Sequence, residues 1–197
     1  MADVRTPIQK RSLEKKQKII NAGFELFCEK GYYQTSTNEI CKRAGVSTGA
    51  LYSYFTDKKD IFIASFEIFF KEQIDPLISS LVDNQNSFDL DKFISHAIDV
   101  FTKMYQLSEK GIAELSNMMS KDKDILNAFR DYSDKNLVVF IEILVSNKIN
   151  ATVESLYLVY AIIDAIAQEN NIQAHNDINY EVLKSKGINT IKALLME

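Results

Sequence analysis

Two prolines in 197 residues, Pro7 and Pro76, constrain the fold more than any other feature of this sequence. Proline lacks a backbone donor and clashes with the preceding helical turn, so its rarity leaves long stretches in which nothing stops a helix. No segment alternates apolar and polar residues between turn-forming clusters, as a half-buried strand would. Glycine is equally uneven: Gly23, Gly31, Gly45 and Gly49 fall in the first quarter, and only Gly111 and Gly187 follow. Tight turns therefore belong to the N-terminal region. With 46% hydrophobic residues the chain can bury a core. It reads as all-α: a three-helix N-terminal bundle joined by a continuous helix to a larger helical domain.

Local signals place the elements. Helix one is expected from about Leu13 to Lys30, with Ile20, Phe24 and Phe27 in one stripe, Ile19, Gly23 and Leu26 beside it, and Gly31 as a left-handed stop. Ser36 and Glu39 form a capping box that opens a short second helix, ended by Gly45. Val46 fills the corner, and Ser47 caps a third helix at about Thr48 to Tyr54. Asp57 and Asp60 repeat the acidic pairing and open helix four at Lys58. Helix four is apolar nearly all round from Ile61 to Phe70, and a kink or break is expected at Asp75-Pro76. Further helices are expected at roughly 89–107, 108–120, 122–148, 151–174 and 178–196. Within 151–174, Val153, Leu156, Tyr157, Tyr160, Ile163 and Ala167 are assigned inward, and Leu158, Ile162 and Ile166 to a second surface.

Charge divides the chain as the glycines do. Residues 1–60 carry eleven Lys/Arg against seven Asp/Glu, and 61–197 carry twelve against twenty. A positive segment beside an acidic one suits a phosphate-binding module attached to a domain with a different partner, although solvated faces produce the same imbalance. No apolar run is long enough to span a bilayer, and the polar N-terminus lacks a leader pattern, so a cytoplasmic protein without a membrane partner is expected. Cys28 and Cys41 sit at helical spacing among apolar residues rather than as a CxxC pair. His96 and His175 form no metal-ligand motif. No metal, cofactor or catalytic centre is expected.

Two short helices separated by Gly45-Val46-Ser47 match a DNA-reading helix-turn-helix, a pattern that good turn chemistry alone also produces. Helix three adds discrimination, because Thr48, Gly49, Ala50, Tyr52, Ser53 and Tyr54 form a small polar surface that suits a groove. The sequence closely resembles the TetR family of transcriptional regulators at Gly31-Tyr32, Thr35-Ser36, Ile40, Ala44-Gly45-Val46-Ser47, Gly49, Leu51-Tyr52, Tyr54-Phe55 and Lys58. The resemblance covers about residues 13–73. It departs where Thr37 replaces a branched apolar residue and Cys41 an alanine. It implies DNA contacts from Thr37, Asn38, Thr48, Gly49, Ala50, Tyr52, Tyr54 and Lys58, with Ser47 and Ser53 as weaker candidates. Tyr52 is open to two readings, packing under helix one or phosphate binding. For Lys58 the alternative to phosphate binding is a solvated side chain.

The resemblance also implies organisation: a basic arm at 1–12, a helix-turn-helix domain at 13–60, and an effector-binding and dimerisation domain at 61–197. Such a regulator would bind palindromic double-stranded operator DNA as a homodimer joined through its last two helices, and a small hydrophobic effector would release it. The arm could follow the DNA backbone, enter a minor groove, or be a solvated tail. Large soft side chains furnish candidate effector contacts: Phe66, Phe70, Met104, Met118, Tyr132 and Tyr160, with His96 and Asp164 as polar members and Glu114 and Asn117 as further polar candidates. Ordinary core packing accounts for most such residues. A helical-bundle enzyme lacks a nucleophile, base or metal cluster here, and an interaction module without DNA binding would carry acidic or bulky residues on helix three.

Overall fold

The computed structural model describes residues 5–82, 88–173 and 175–196. Among these the order is α1 (Arg5–Lys30), α2 (Thr37–Ala44), α3 (Thr48–Tyr52), α4 (Lys58–Val82), α5 (Leu90–Lys121), α6 (Lys123–Ser146), α7 (Val153–Ile172) and α8 (Tyr180–Met196), with no strand. Two expected boundaries move for reasons that concern proline. Helix one begins at Arg5 rather than Leu13, so the expected arm is helical as far as it is described, and its first four residues lie outside the described part. Pro7 falls in the first turn, where the missing N–H had no helical partner in any case. Of the kink or break expected at Asp75-Pro76, the break does not occur, and α4 continues through Pro76 to Val82. Ile74 and Leu77 are both buried, so apolar packing on either side of the proline holds the helical path against a penalty of about 3 kcal/mol.

Elsewhere the local signals and the structure agree closely. The helices expected at 89–107 and 108–120 form one element, α5, interrupted by the non-helical backbone of Ser108 at φ −157°, ψ 61°. Helix three ends at Tyr52, two residues early, yet Tyr54 N and Phe55 N both still donate to the Leu51 carbonyl, at 3.0 and 3.1 Å.

The contacts divide the chain into two compact units that no single cut along the sequence separates. One comprises Met1–Phe69 together with Lys110–Phe129, and the other Phe70–Glu109 together with Arg130–Glu197. The first unit is built on aromatic rings. Phe62 meets Phe27 at 5.1 Å and Phe66 at 4.8 Å between centroids, and Phe24 lies 5.2 Å from Phe66 and 4.9 Å from Phe69. Ile19, Ile40, Leu51 and Ile61 are fully buried around them.

The second unit buries Ile98, Leu144, Val159, Ile163, Ile166 and Ile191 in one cluster. The face assigned to α7 needs correction. Leu156, Ile163 and Ala167 point inward as expected, but Val153, Tyr157 and Tyr160 are exposed, and Ile166 is buried with Val159. The cause lies in α8, whose Gly187 leaves room for Ile166: a β-carbon built on that glycine would overlap the Cδ1 of Ile166. Packing of α8 on α7 thus selects the buried face, and the glycine marks the close approach of these two helices within one chain.

Candidate nucleic-acid interface

The turn between α1 and α2 sets the position of the reading helices. Gly31 ends α1 with φ 85°, and Lys58, at the start of α4, reaches back to it. The Lys58 ammonium donates to the carbonyls of Tyr32 and Thr35 at 2.7 and 2.8 Å and stands 4.2 Å from the centre of the Tyr32 ring. Burial, with a smaller contribution from Lys30, lowers its pKa. Lys58, expected to bind phosphate or to be solvated, thus commits two of its three ammonium donors to this turn. From the other side Glu114 of α5 accepts the Tyr32 amide at 2.6 Å, while Asn117 donates to the same carboxylate at 3.4 Å. Lys59 pairs with Asp122 at 3.0 Å and Asp124 at 2.6 Å, and these carboxylates, Asp124 foremost, raise its pKa. Residues 110–129 therefore belong physically to the helix-turn-helix unit. Glu114 and Asn117, polar effector candidates by residue type, face the turn.

Helix two is capped at both ends by neighbouring residues. Ser36 Oγ accepts from Glu39 N at 3.3 Å, and the Glu39 carboxylate accepts from Ser36 N at 2.9 Å. Lys30 bonds the same carboxylate, and these contacts, Lys30 first, hold its pKa down to about 2. At the far end Gly45 adopts φ 66°, ψ 37°, and Val46 N donates to Cys41 O at 3.1 Å. A left-handed residue is needed there, which favours glycine. Ser47 then accepts from Ala50 N at 3.2 Å and starts α3. Arg43 donates to Glu29 at 2.9 Å and to Glu25 at 3.4 Å, which fixes α2 against α1.

The result is a short helix with one side on the core through buried Leu51 and the other open. Asn38, Ser47, Thr48, Gly49, Tyr52 and Ser53 are exposed, and Thr37, Ala50 and Tyr54 are partly so. Gly49 is informative because a β-carbon there would meet nothing within 4 Å, and its φ lies outside the left-handed region. The chain itself does not require glycine at this place. Tyr52 is 51% exposed, its hydroxyl 3.3 Å from that of Thr37, which removes the reading in which it packs under helix one. Tyr54 is the tyrosine joined to helix one, through a 3.0 Å contact with Ser12 Oγ. Ser47 and Ser53 use their hydroxyls locally, the latter donating to Ala50 O at 2.7 Å.

This helix-turn-helix has a recognisable set of relatives. Residues 19–65 match the family model described as bacterial regulatory proteins, tetR family. The helix-turn-helix is thus similar to those of the tetR family. Its sequence is 41% identical over 58 residues to the fatty acid metabolism regulator protein of Bacillus subtilis, a stretch covering 29% of this chain and 30% of that protein. Over 99 residues it is 36% identical to the biofilm operon icaADBC HTH-type negative transcriptional regulator IcaR of Staphylococcus epidermidis, covering 47% and 53%. The chain thus spans between about a third and a half of these curated relatives. Beyond the matched helix-turn-helix the likeness is one of fold: the transcriptional regulator FadR from Bacillus subtilis, solved with stearoyl-CoA, superposes with a TM-score of 0.63 over 89% of this chain and 96% of that one at 18% identity. The fold is all-helical, and these relatives are regulators, not enzymes.

The candidate effector residues fall in both units. Phe66 and Met118 are buried in the unit that carries the helix-turn-helix, with Phe66 inside its ring cluster. In the other unit Phe70 and Tyr132 lie 6.2 Å apart between ring centres, Met104 is buried and His96 is exposed. Asp164 accepts from the Tyr105 hydroxyl at 2.7 Å, and Gln168 donates to both, at 2.9 and 2.8 Å. Beside them Tyr160 packs edge-on to Phe101 at 5.6 Å; half of its surface stays exposed, yet the protein packed around it partly desolvates the hydroxyl, and this, followed by the Asp164 charge, pushes its pKa up to about 12. Tyr105 and Gln168 carry no signal in the sequence because their partners are 59 and 63 residues away. Among the described residues no helix is long and apolar enough to cross a membrane, and no group of three or more His, Cys, Asp or Glu is placed to hold a metal ion.

Proposed function

We propose that this chain is a sequence-specific DNA-binding transcriptional repressor, homodimeric, whose affinity for a palindromic operator is lowered by a small hydrophobic ligand. The observation that carries the DNA-binding reading is the open face of α3, where a bare Gly49 sits between Thr48 and Ala50 without any demand from the fold. Hydroxyls at Thr37, Thr48 and Tyr52 and the amide of Asn38 supply donors and acceptors, Ala50 suits a thymine methyl, and Gly49 admits close backbone approach. Residues 13–60 then read DNA, and 61–197 bind the effector and dimerise. The negative regulator among the relatives supports repression. The stearoyl-CoA held by a protein of the same fold supports a ligand with a long apolar part. A ligand can move the equilibrium between DNA-binding and released states only through its differential affinity for them.

Selection of bound duplexes from random DNA tests the reading directly. The expected product is a near-palindrome with half-sites one helical turn or slightly more apart. Thr48→Ala is expected to change preference at one half-site position by about 1 to 3 kcal/mol. Failure to enrich any sequence would reject the proposal. For the effector, a long-chain acyl-CoA titrated against the protein bound to its selected duplex is expected to release it, and undiminished binding at saturation would reject that ligand class.

A further inference from the structure

We propose that Phe101, Tyr105, Tyr160 and Asp164 form a binding site for a quaternary ammonium group, the carboxylate supplying the counter-charge and the rings the walls. The four residues lie within the unit made of Phe70–Glu109 and Arg130–Glu197. The inference therefore stands apart from the DNA-binding reading, and it names a ligand class other than the long-chain acyl compound proposed above.

Helix α7 carries Tyr160, Asp164 and Gln168 at intervals of four residues, so the three side chains follow one another along one face. Helix α5 meets that face with Phe101 and Tyr105, again four apart. Tyr160 stands edge-on to Phe101 at 5.6 Å. The Tyr105 hydroxyl donates to Asp164 Oδ1 at 2.7 Å, and Gln168 Nε2 donates to Oδ2 at 2.9 Å. These bonds fix the carboxylate beside the rings. Tyr160 is 51% exposed, and Phe101, Tyr105 and Asp164 are partly so, which leaves the cluster open to a solute.

No Lys, Arg or His among the described residues pairs with Asp164, whose hydrogen bonds come from two neutral donors. Asp91 and Asp99, on the same α5, are each neutralised by a lysine of α8: Lys192 at 2.7 Å and Lys184 at 2.5 Å. The unpaired charge is felt by the rings around it. After desolvation, the bond to Asp164 raises the pKa of Tyr105, and the Asp164 charge raises that of Tyr160. Over the whole unit, sixteen Asp and Glu stand against nine Lys and Arg, so the surrounding field also draws cations.

The same features select among cations. A bare ammonium or a guanidinium gives up strong hydration and needs several acceptors in return. Here each carboxylate oxygen already accepts a bond, and the remaining walls are aromatic. A quaternary ammonium has no N–H to satisfy, and it gains from ring faces as well as from the negative charge.

The test titrates tetramethylammonium chloride against the DNA-free protein at constant ionic strength, read by saturation transfer to the methyl protons. Saturable binding is expected, and tert-butanol, neutral and of similar size, should not displace it. Asp164→Asn, which keeps an oxygen for Tyr105, should weaken binding about ten-fold or more, and Tyr160→Leu several-fold. Glu142→Gln removes an exposed charge on α6 of the same unit and should leave the affinity unchanged. Absence of saturable binding to wild type would overturn the inference, as would displacement by tert-butanol. Equal weakening by Asp164→Asn and Glu142→Gln would overturn it too, since diffuse attraction would then suffice. Circular dichroism checks that Asp164→Asn is folded; should it unfold, Tyr160→Leu decides, and undiminished binding in that variant rejects the site. Because no duplex is present, failure of the DNA-binding reading leaves these outcomes untouched.

Discussion

Gly49 separates what the fold asks of a residue from what a partner asks. Alanine there fits sterically and gains helix propensity, so Gly49→Ala is expected to keep the melting temperature or raise stability by up to about 1 kcal/mol. The same substitution should weaken binding to the selected duplex, because a methyl group intrudes where backbone meets DNA. Unchanged affinity in a fluorescence-anisotropy titration would refute close approach at this position. Glu39 illustrates the opposite case, a residue whose whole role is internal. Its carboxyl sits at about 2 in the fold against an ordinary 4.5, so its bonds to Lys30 and Ser36 contribute fully above pH 4.5 and are lost as pH falls towards 2. Glu39→Gln is therefore expected to flatten the acid limb of the stability profile in denaturant melts between pH 5 and 2. A limb of unchanged steepness would show that other carboxylates govern acid unfolding.

At the scale of elements, the helix ends of the N-terminal region, which depend on neighbours within four residues, were legible in advance: Ser36 with Glu39, Gly45 after Ala44, Ser47 with Ala50, and Asp57, which accepts from Asp60 N at 2.9 Å. What escaped was how one element uses another. By sequence Lys58 is either a phosphate-binding or a solvated cation, and nothing local announces that two carbonyls of the α1–α2 turn accept from its ammonium. Glu114 lies 82 residues from the amide it accepts. Glu114→Ala strands that partly buried amide, and the expected loss is about 1 to 3 kcal/mol of stability. Glu114→Gln, which keeps an acceptor oxygen, should retain most of it. Urea melts of the two variants decide the matter, since equal losses would mean that charge rather than the hydrogen bond holds α5 to the turn.

At the scale of the whole molecule, the corrected face of α7 changes what a dimer would use. Tyr157 is 69% exposed and Leu158, with Val182 on α8, is also largely uncovered, whereas Ile191 is fully buried within its own chain. Ile191→Asp would thus unfold the protomer rather than test association. Leu158→Glu is the informative change. If the proposed dimer forms through α7 and α8, wild type should scatter light as a dimer at micromolar concentration, and Leu158→Glu as a monomer with undiminished helical signal. A monomeric wild type would contradict the proposal. The same variant should lose most of its affinity for a two-half-site palindrome while retaining weak binding to a single half-site.

The sequence by itself determined the helical class, the caps and the helix-turn-helix, because each depends on contacts spanning one or two turns: proline's missing donor, a hydroxyl three residues before an amide, a glycine in the left-handed region. Tertiary structure decided the rest. Whether α4 would pass through Pro76 depended on the burial of Ile74 and Leu77, and which face α7 would bury depended on the space that Gly187 leaves for Ile166. Residues 110–129 joined the DNA-binding unit through Glu114, Asp122 and Asp124. Such choices turn on partners tens of residues away, and helical periodicity describes a face without naming what it will meet.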